Sequence, residues 1–176
     1  MKLLARFTFA LVALFLSVTA GVAHAEHIAA TLTGYEETPA AVSTDASGEF
    51  RAIINRGDQS IDYELTYSGL QGTITQAHIH VAQLSVTGSI VIWFCGTTTN
   101  PGPAGTQTCP QFGTITGHIT AANVVAGGTA SQQLAAGELA EVIRAIRAGA
   151  AYVNVHTSPL SPGGEIRGQI RASARN

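Results

Sequence analysis

Three histidines in this 176-residue chain are spaced to share one ligand. His78 and His80 stand in Gln76-Ala77-His78-Ile79-His80-Val81, two apart in a run that reads as a β-strand. Successive strand side chains alternate, so both imidazoles project from one face, about 6–7 Å apart at Cα, while Ile79 points into a core. Two imidazoles so placed can converge on a metal at about 2.0–2.1 Å from each nitrogen. His156 stands in Tyr152-Val153-Asn154-Val155-His156-Thr157. There Val153 and Val155 face one way, and Tyr152, Asn154 and His156 the other. If the two strands are neighbours, His78, His80 and His156 share one patch on the polar, wet side of the sheet. Such a set fits copper or zinc with an open coordination position. Imidazole-only ligation disfavours calcium and magnesium, which take oxygen ligands.

A bland reading stands beside this one: a His-x-His on a strand is also what two exposed polar residues look like. His118, in Gly117-His118-Ile119-Thr120, reads as a surface residue. His27 would be the second residue of the chain if an N-terminal signal is cleaved after Ala25, and chain ends are usually mobile, so it is not counted. If the three imidazoles are ligands, protons compete with the metal near the ordinary histidine pKa of about 6.5, and affinity falls on acidification to pH 5. Other chemistries lack their residues. There is no Gly-x-Ser-x-Gly elbow, no P-loop and no Gly-x-Gly-x-x-Gly after a strand. Glu36 and Glu37 are adjacent, which points them apart on an extended chain. No catalytic residue is assigned.

The elements that must carry these residues are mostly strands. Ile61, Tyr63, Leu65 and Tyr67 alternate with Asp62, Glu64 and Thr66, the period of a strand with one buried face. His27–Thr33, Gly48–Asn55, Thr73–Ala82, Ser89–Phe94, Gly113–Thr120, Ala151–Thr157 and Glu165–Arg171 read likewise, and Asn55-Arg56-Gly57-Asp58 reads as a hairpin turn. Trp93 and Phe94 are assigned to the core and its edge. One helix is predicted from Gly137 to Ala148: Leu139, Val142, Ile143 and Ile146 recur at three and four, Glu138 and Glu141 come early, Arg144 and Arg147 late, and Gly149 ends it. Many short strands with glycine-rich turns predict an all-β, antiparallel Greek-key sandwich or barrel with one short helix.

The first 25 residues read as an export signal. Lys2 and Arg6 precede the apolar run Phe7–Ala20, and Ala23-His24-Ala25 offers a cleavage site. The run is short for a membrane span. A mature domain from Glu26 to Asn176 follows, exported to a periplasmic or extracellular place. Losing Lys2 and Arg6 from nine basic residues against eleven acidic ones leaves a formal charge of −4 and no lysine. Nothing here matches a nucleic-acid phosphate backbone, so no nucleic-acid partner is expected. An oxidising compartment would couple the two cysteines, Cys95 and Cys109, across a Gly/Pro/Thr-rich loop. The rival reading, two thiolate metal ligands, lacks ligand-like spacing around them.

Several segments resemble the CHRD domain, named from chordin: Leu32-Thr33-Gly34-Tyr35-Glu36-Glu37-Thr38-Pro39, Tyr67-Ser68-Gly69-Leu70, Ala77-His78-Ile79-His80, and Ala148-Gly149-Ala150-Ala151-Tyr152-Val153-Asn154-Val155-His156-Thr157 with Pro162-Gly163-Gly164-Glu165-Ile166-Arg167-Gly168-Gln169-Ile170. The resemblance runs from about His27 to Arg171. It departs where Pro39 is followed by Ala40 rather than a second proline. It implies an immunoglobulin-like or Greek-key β fold and, by analogy with the parent protein, a protein-interaction module. A fainter similarity to copper/zinc superoxide dismutases rests on Gly69-Leu70, His78-Ile79-His80 and Gly163-Gly164-Glu165-Ile166-Arg167. It implies copper at His78 and His80 and an arginine that guides superoxide. The chain lacks a recognisable zinc-binding loop and a fourth copper histidine. Read from its strand alone, Arg167 is an arginine pairing with a nearby acid. Three functions follow: a copper- or zinc-holding exported protein, an adhesion or interaction module without metal, and a copper redox enzyme acting on superoxide.

Overall fold

The computed structural model describes residues 25–128 and 132–172. The expected export signal therefore lies, apart from Ala25, outside the described residues. Nine strands follow in chain order: β1 Glu26–Thr33, β2 Ser47–Ile54, β3 Ile61–Ser68, β4 Thr73–Val81, β5 Ser89–Cys95, β6 Gly113–Ile119, β7 Ala151–Ser158, β8 Ile166–Gln169 and β9 Arg171–Ala172. They form one sheet in the order β5-β4-β7-β8-β1-β2-β3-β6, with β9 beside β1. All pairings between strands are antiparallel.

The sheet nearly closes into a barrel. Its end strands approach through a bridge between Ile92 and Val124 and another between Gly96 and Thr108. There the Cys95–Cys109 disulfide is formed, so neither cysteine is a free thiolate. Inside lies a continuous core that takes alternate residues from each strand, as on β3, where Ile61, Tyr63, Leu65 and Tyr67 are buried and Asp62 and Glu64 exposed. Burial of each such side chain stabilises by about 1.5–3 kcal/mol, which fixes the register. The β2–β3 hairpin turns at Asn55–Asp58, where Gly57 and Asp58 take positive φ.

The single α-helix among the described residues, α1 (Leu139–Arg147), buries Leu139, Val142, Ile143 and Ile146. Gly149, at φ 70°, terminates it. Arg147 in its last turn holds Glu26 at 2.8 Å and Asp58 at 2.6 Å, tying the helix end to the start of β1 and to the hairpin. No described helix is long and apolar enough to cross a membrane.

Two expectations need correction. The single strand predicted over Glu165–Arg171 is broken. β8 lies between β7 and β1, meeting β1 through Thr33 and Arg167, and the two-residue β9 pairs with β1. Gly168 presses so closely on β1 that a Cβ there would stand 2.3 Å from the Thr31 carbonyl oxygen, and Ile170 donates its N–H to Ala151 instead. Second, the polar side of β4 and β7 is not wet. Every residue of β7 except Ser158 is buried. Three loops, Gly34–Ala46, Ala82–Gly88 and Pro159–Glu165, roof this side of the barrel wall. Glu165 pins the roof: its carboxylate accepts from Thr44, Thr157 and the N–H groups of Gln71 and Gly72. Burial pushes this acid's pKa up, but those donors outweigh it and hold it below the usual carboxylate range.

Candidate metal centre

β4 and β7 are neighbours, and their register sets His78 opposite Asn154, His80 opposite Tyr152 and Gln76 opposite His156. Ala77, Ile79, Val153 and Val155 enter the core, so the alternate residues stand together on the roofed side. One ring nitrogen from each of His78, His80 and His156 lies within 4.8 Å of the others. The three residues are 0, 6 and 8% exposed.

Hydrogen bonds fix two of the tautomers. His80 Nδ1 is 3.0 Å from the Gly88 carbonyl and His156 Nδ1 is 3.0 Å from that of Pro162. A carbonyl only accepts, so both Nδ1 atoms carry the proton and both Nε2 atoms present lone pairs. His78 Nδ1 is 3.2 Å from His80 Nε2. Two nitrogens bound to one ion at about 2.0–2.1 Å stand about 3.3–3.5 Å apart, close to this separation. Among the described residues, His78 Nε2 and His156 Nε2 are buried without a hydrogen-bond partner. A buried polar nitrogen left unmatched costs about 1–3 kcal/mol unless something binds it, and one ion can claim a single nitrogen of each ring. The donor set therefore fits an imidazole-preferring ion. A carbonyl behind a ligating ring is also the usual support for such a ligand.

The rings are held neutral. Burial, then the neighbouring His156 and His80, push His78 down to about 2. Burial lowers His80 to about 4; the Gly88 carbonyl opposes this, while His156 and Arg167 add to it. His156 is lowered by burial against the pull of the Pro162 carbonyl. Neutral imidazole is the form that ligates.

Residues around the cluster include several that sequence reasoning passed over. Trp93, opposite His78 on β5, sets its ring edge-on to that imidazole at 4.5 Å. It belongs to the roofed side and is half-buried, while Phe94 enters the core. Gly102 of the disulfide loop lies over it, so close that a Cβ would stand 2.8 Å from the indole. Tyr152 stacks on His80 at 4.7 Å and accepts from the Gly88 N–H. Arg167, 2% exposed, does not pair with an acid as expected. Its guanidinium lies 3.5 Å over the Tyr152 ring and donates to Thr38 Oγ1 and the Val86 carbonyl. Glu37 accepts from Asn154 at 2.6 Å, and burial raises its pKa to about 7 against the opposing effects of Asn154, Arg167 and the Thr38 N–H. Gly164, at φ 134°, makes room for that pair. The same-face alternation of Tyr152, Asn154 and His156 was a usable signal for Asn154; nothing local marked Glu37. His118 lies exposed beside Asp62, apart from the cluster, as its strand position led one to expect.

The family model of the CHRD domain matches residues 28–170, nearly the whole described chain, and the protein belongs to that family. No curated protein and no solved structure shows a significant match.

Proposed function

We propose that this CHRD-domain chain is an exported protein that holds a copper or zinc ion through His78, His80 and His156. The observation that carries the reading is the convergence of three buried, neutral imidazoles, with Nδ1 of His80 and His156 committed to carbonyls, His156 Nε2 unmatched, and His78 Nδ1 set 3.2 Å from His80 Nε2. The disulfide agrees with an oxidising compartment, periplasmic or extracellular. In this reading the domain buffers, carries or senses metal outside the cytoplasm. The test is elemental analysis and metal titration of the purified protein beside a His78→Ala/His80→Ala variant. Wild-type protein should take up about one equivalent and the variant none; equal uptake rejects the site.

A second reading, an interaction module, is favoured by Tyr35, Phe112 and Leu160, large apolar side chains left exposed on loops. It predicts a protein partner recovered equally well with wild type and the double variant. A partner recovered only with metal-loaded wild type would join the two readings.

A further inference from the structure

The charges around the three imidazoles are unbalanced. The cluster brings together three neutral rings and no carboxylate or thiolate. The fixed charge bearing on it is a cation: Arg167, buried over Tyr152, which in turn stacks on His80. The acids nearby offset this poorly. Glu36 turns to the Gln169 N–H. Glu165 serves Thr157, which alternation places on the face opposite His156. Glu37 is bound to Asn154 and feels the charge of Arg167 without an ion-pair contact within 4.0 Å, so it offsets the cation only in part.

An ion entering here keeps its whole charge, because its ligands bring none. Its cost of leaving water rises with the square of the charge, and its repulsion from Arg167 rises in proportion to it. A divalent ion is handicapped on both counts. Copper(I) carries half the charge and so meets less of both penalties, and imidazole is among the donors that suit copper. We propose that the site selects monovalent copper over divalent ions, with Arg167 setting the preference. This rests on the metal-binding reading above and specifies its cargo.

The experiment is an anaerobic competition. Purified protein is titrated with Cu(I) against a chromogenic Cu(I) chelator under a reductant, and separately with Zn(II) against a zinc indicator. Wild type should bind Cu(I) at least about tenfold more tightly than Zn(II). Repulsion linear in charge predicts twice the logarithmic change for the divalent ion. Arg167→Gln should thus strengthen Zn(II) by roughly tenfold and Cu(I) by only about threefold. Glu37→Gln, which removes the local negative charge without cutting the Arg167 latch, should weaken Zn(II) more than Cu(I) at pH 8. It carries the test if Arg167→Gln fails to fold. Zn(II) bound as tightly as Cu(I), or variants that move both ions equally, overturns the selectivity while leaving the site. Failure to bind either ion, or full binding by His78→Ala/His80→Ala, overturns the metal reading itself.

Discussion

Acidification from pH 7.5 to 5.0 should destabilise the metal-free fold, and Glu37 should mask much of the effect. The sign follows from linkage. His78 and His80 have folded pKa values of about 2 and about 4, below the unfolded value of 6.5. Their contribution is whole above pH 6.5 and shrinks below it, because the unfolded chain takes up protons that the folded one refuses. Over this interval each histidine costs about 2 kcal/mol, together about 4. His156 acts in the same direction. Glu37 acts oppositely: its folded pKa of about 7 exceeds the ordinary value of 4.5, so its penalty is relieved as pH falls. That returns roughly 2–3 kcal/mol, leaving a net loss of about 1–2 kcal/mol from these three groups. Glu37→Gln removes the offset and should expose the full loss of about 4 kcal/mol. Urea unfolding of both proteins at the two pH values, in the presence of a chelator, measures it. If Glu37→Gln is no more acid-sensitive than wild type, Glu37 does not carry a raised pKa; if wild type gains stability at pH 5.0, the rings are not buried neutral; either result breaks the electrostatic account of the site.

Trp93 is the only tryptophan and touches His78, so Cu(II) should quench its fluorescence by more than half while Zn(II) leaves it nearly unchanged; quenching that survives His78→Ala would place the ion elsewhere. Metal affinity should be flatter between pH 7 and 5 than exposed imidazoles would give, since burial moves proton competition at His78 and His80 below pH 5; a tenfold or larger fall per pH unit in a competition titration over that range would contradict it. Gly164→Ala should cost about 1–3 kcal/mol in urea unfolding, because φ 134° is strained for alanine and the new Cβ would stand 2.6 Å from Glu37; an unchanged midpoint would show that the loop relaxes freely. Replacing both cysteines by alanine should cost about 3 kcal/mol from the 14-residue loop they close, read by thermal melting, with a loss below 1 kcal/mol refuting the cross-link's role.

Much of the fold could be read locally. Period-two alternation along Ile61–Tyr67 and its counterparts is imposed by a barrel wall with a greasy inside, and it located the strands to within a residue or two. The spacing of Leu139, Val142, Ile143 and Ile146 did the same for α1. The exception is instructive. In the segment Glu165–Arg171 the alternation gave no sign that the strand is interrupted at Ile170, because the interruption goes with a close approach of Gly168 to Thr31, far away in sequence. Glu37 was passed over for a like reason. Adjacency to Glu36 does point the two apart, and one of them points into the polar network beside the cluster, against Asn154, 117 positions on.

What the residues determined by themselves is therefore everything governed by a short repeat: which side chains share a strand face, that His78 and His80 lie together, where the helix begins and ends, and that two cysteines flank one loop. What only the tertiary structure decided is the environment of that face. Loops from three distant parts of the chain close over it, and burial under them turns wet imidazoles into neutral ones, assigns their protons to the Gly88 and Pro162 carbonyls, and sets Arg167 upon Tyr152. Alternation is a property of a few consecutive peptide units; desolvation and hydrogen-bond partnership belong to whatever the rest of the chain brings alongside.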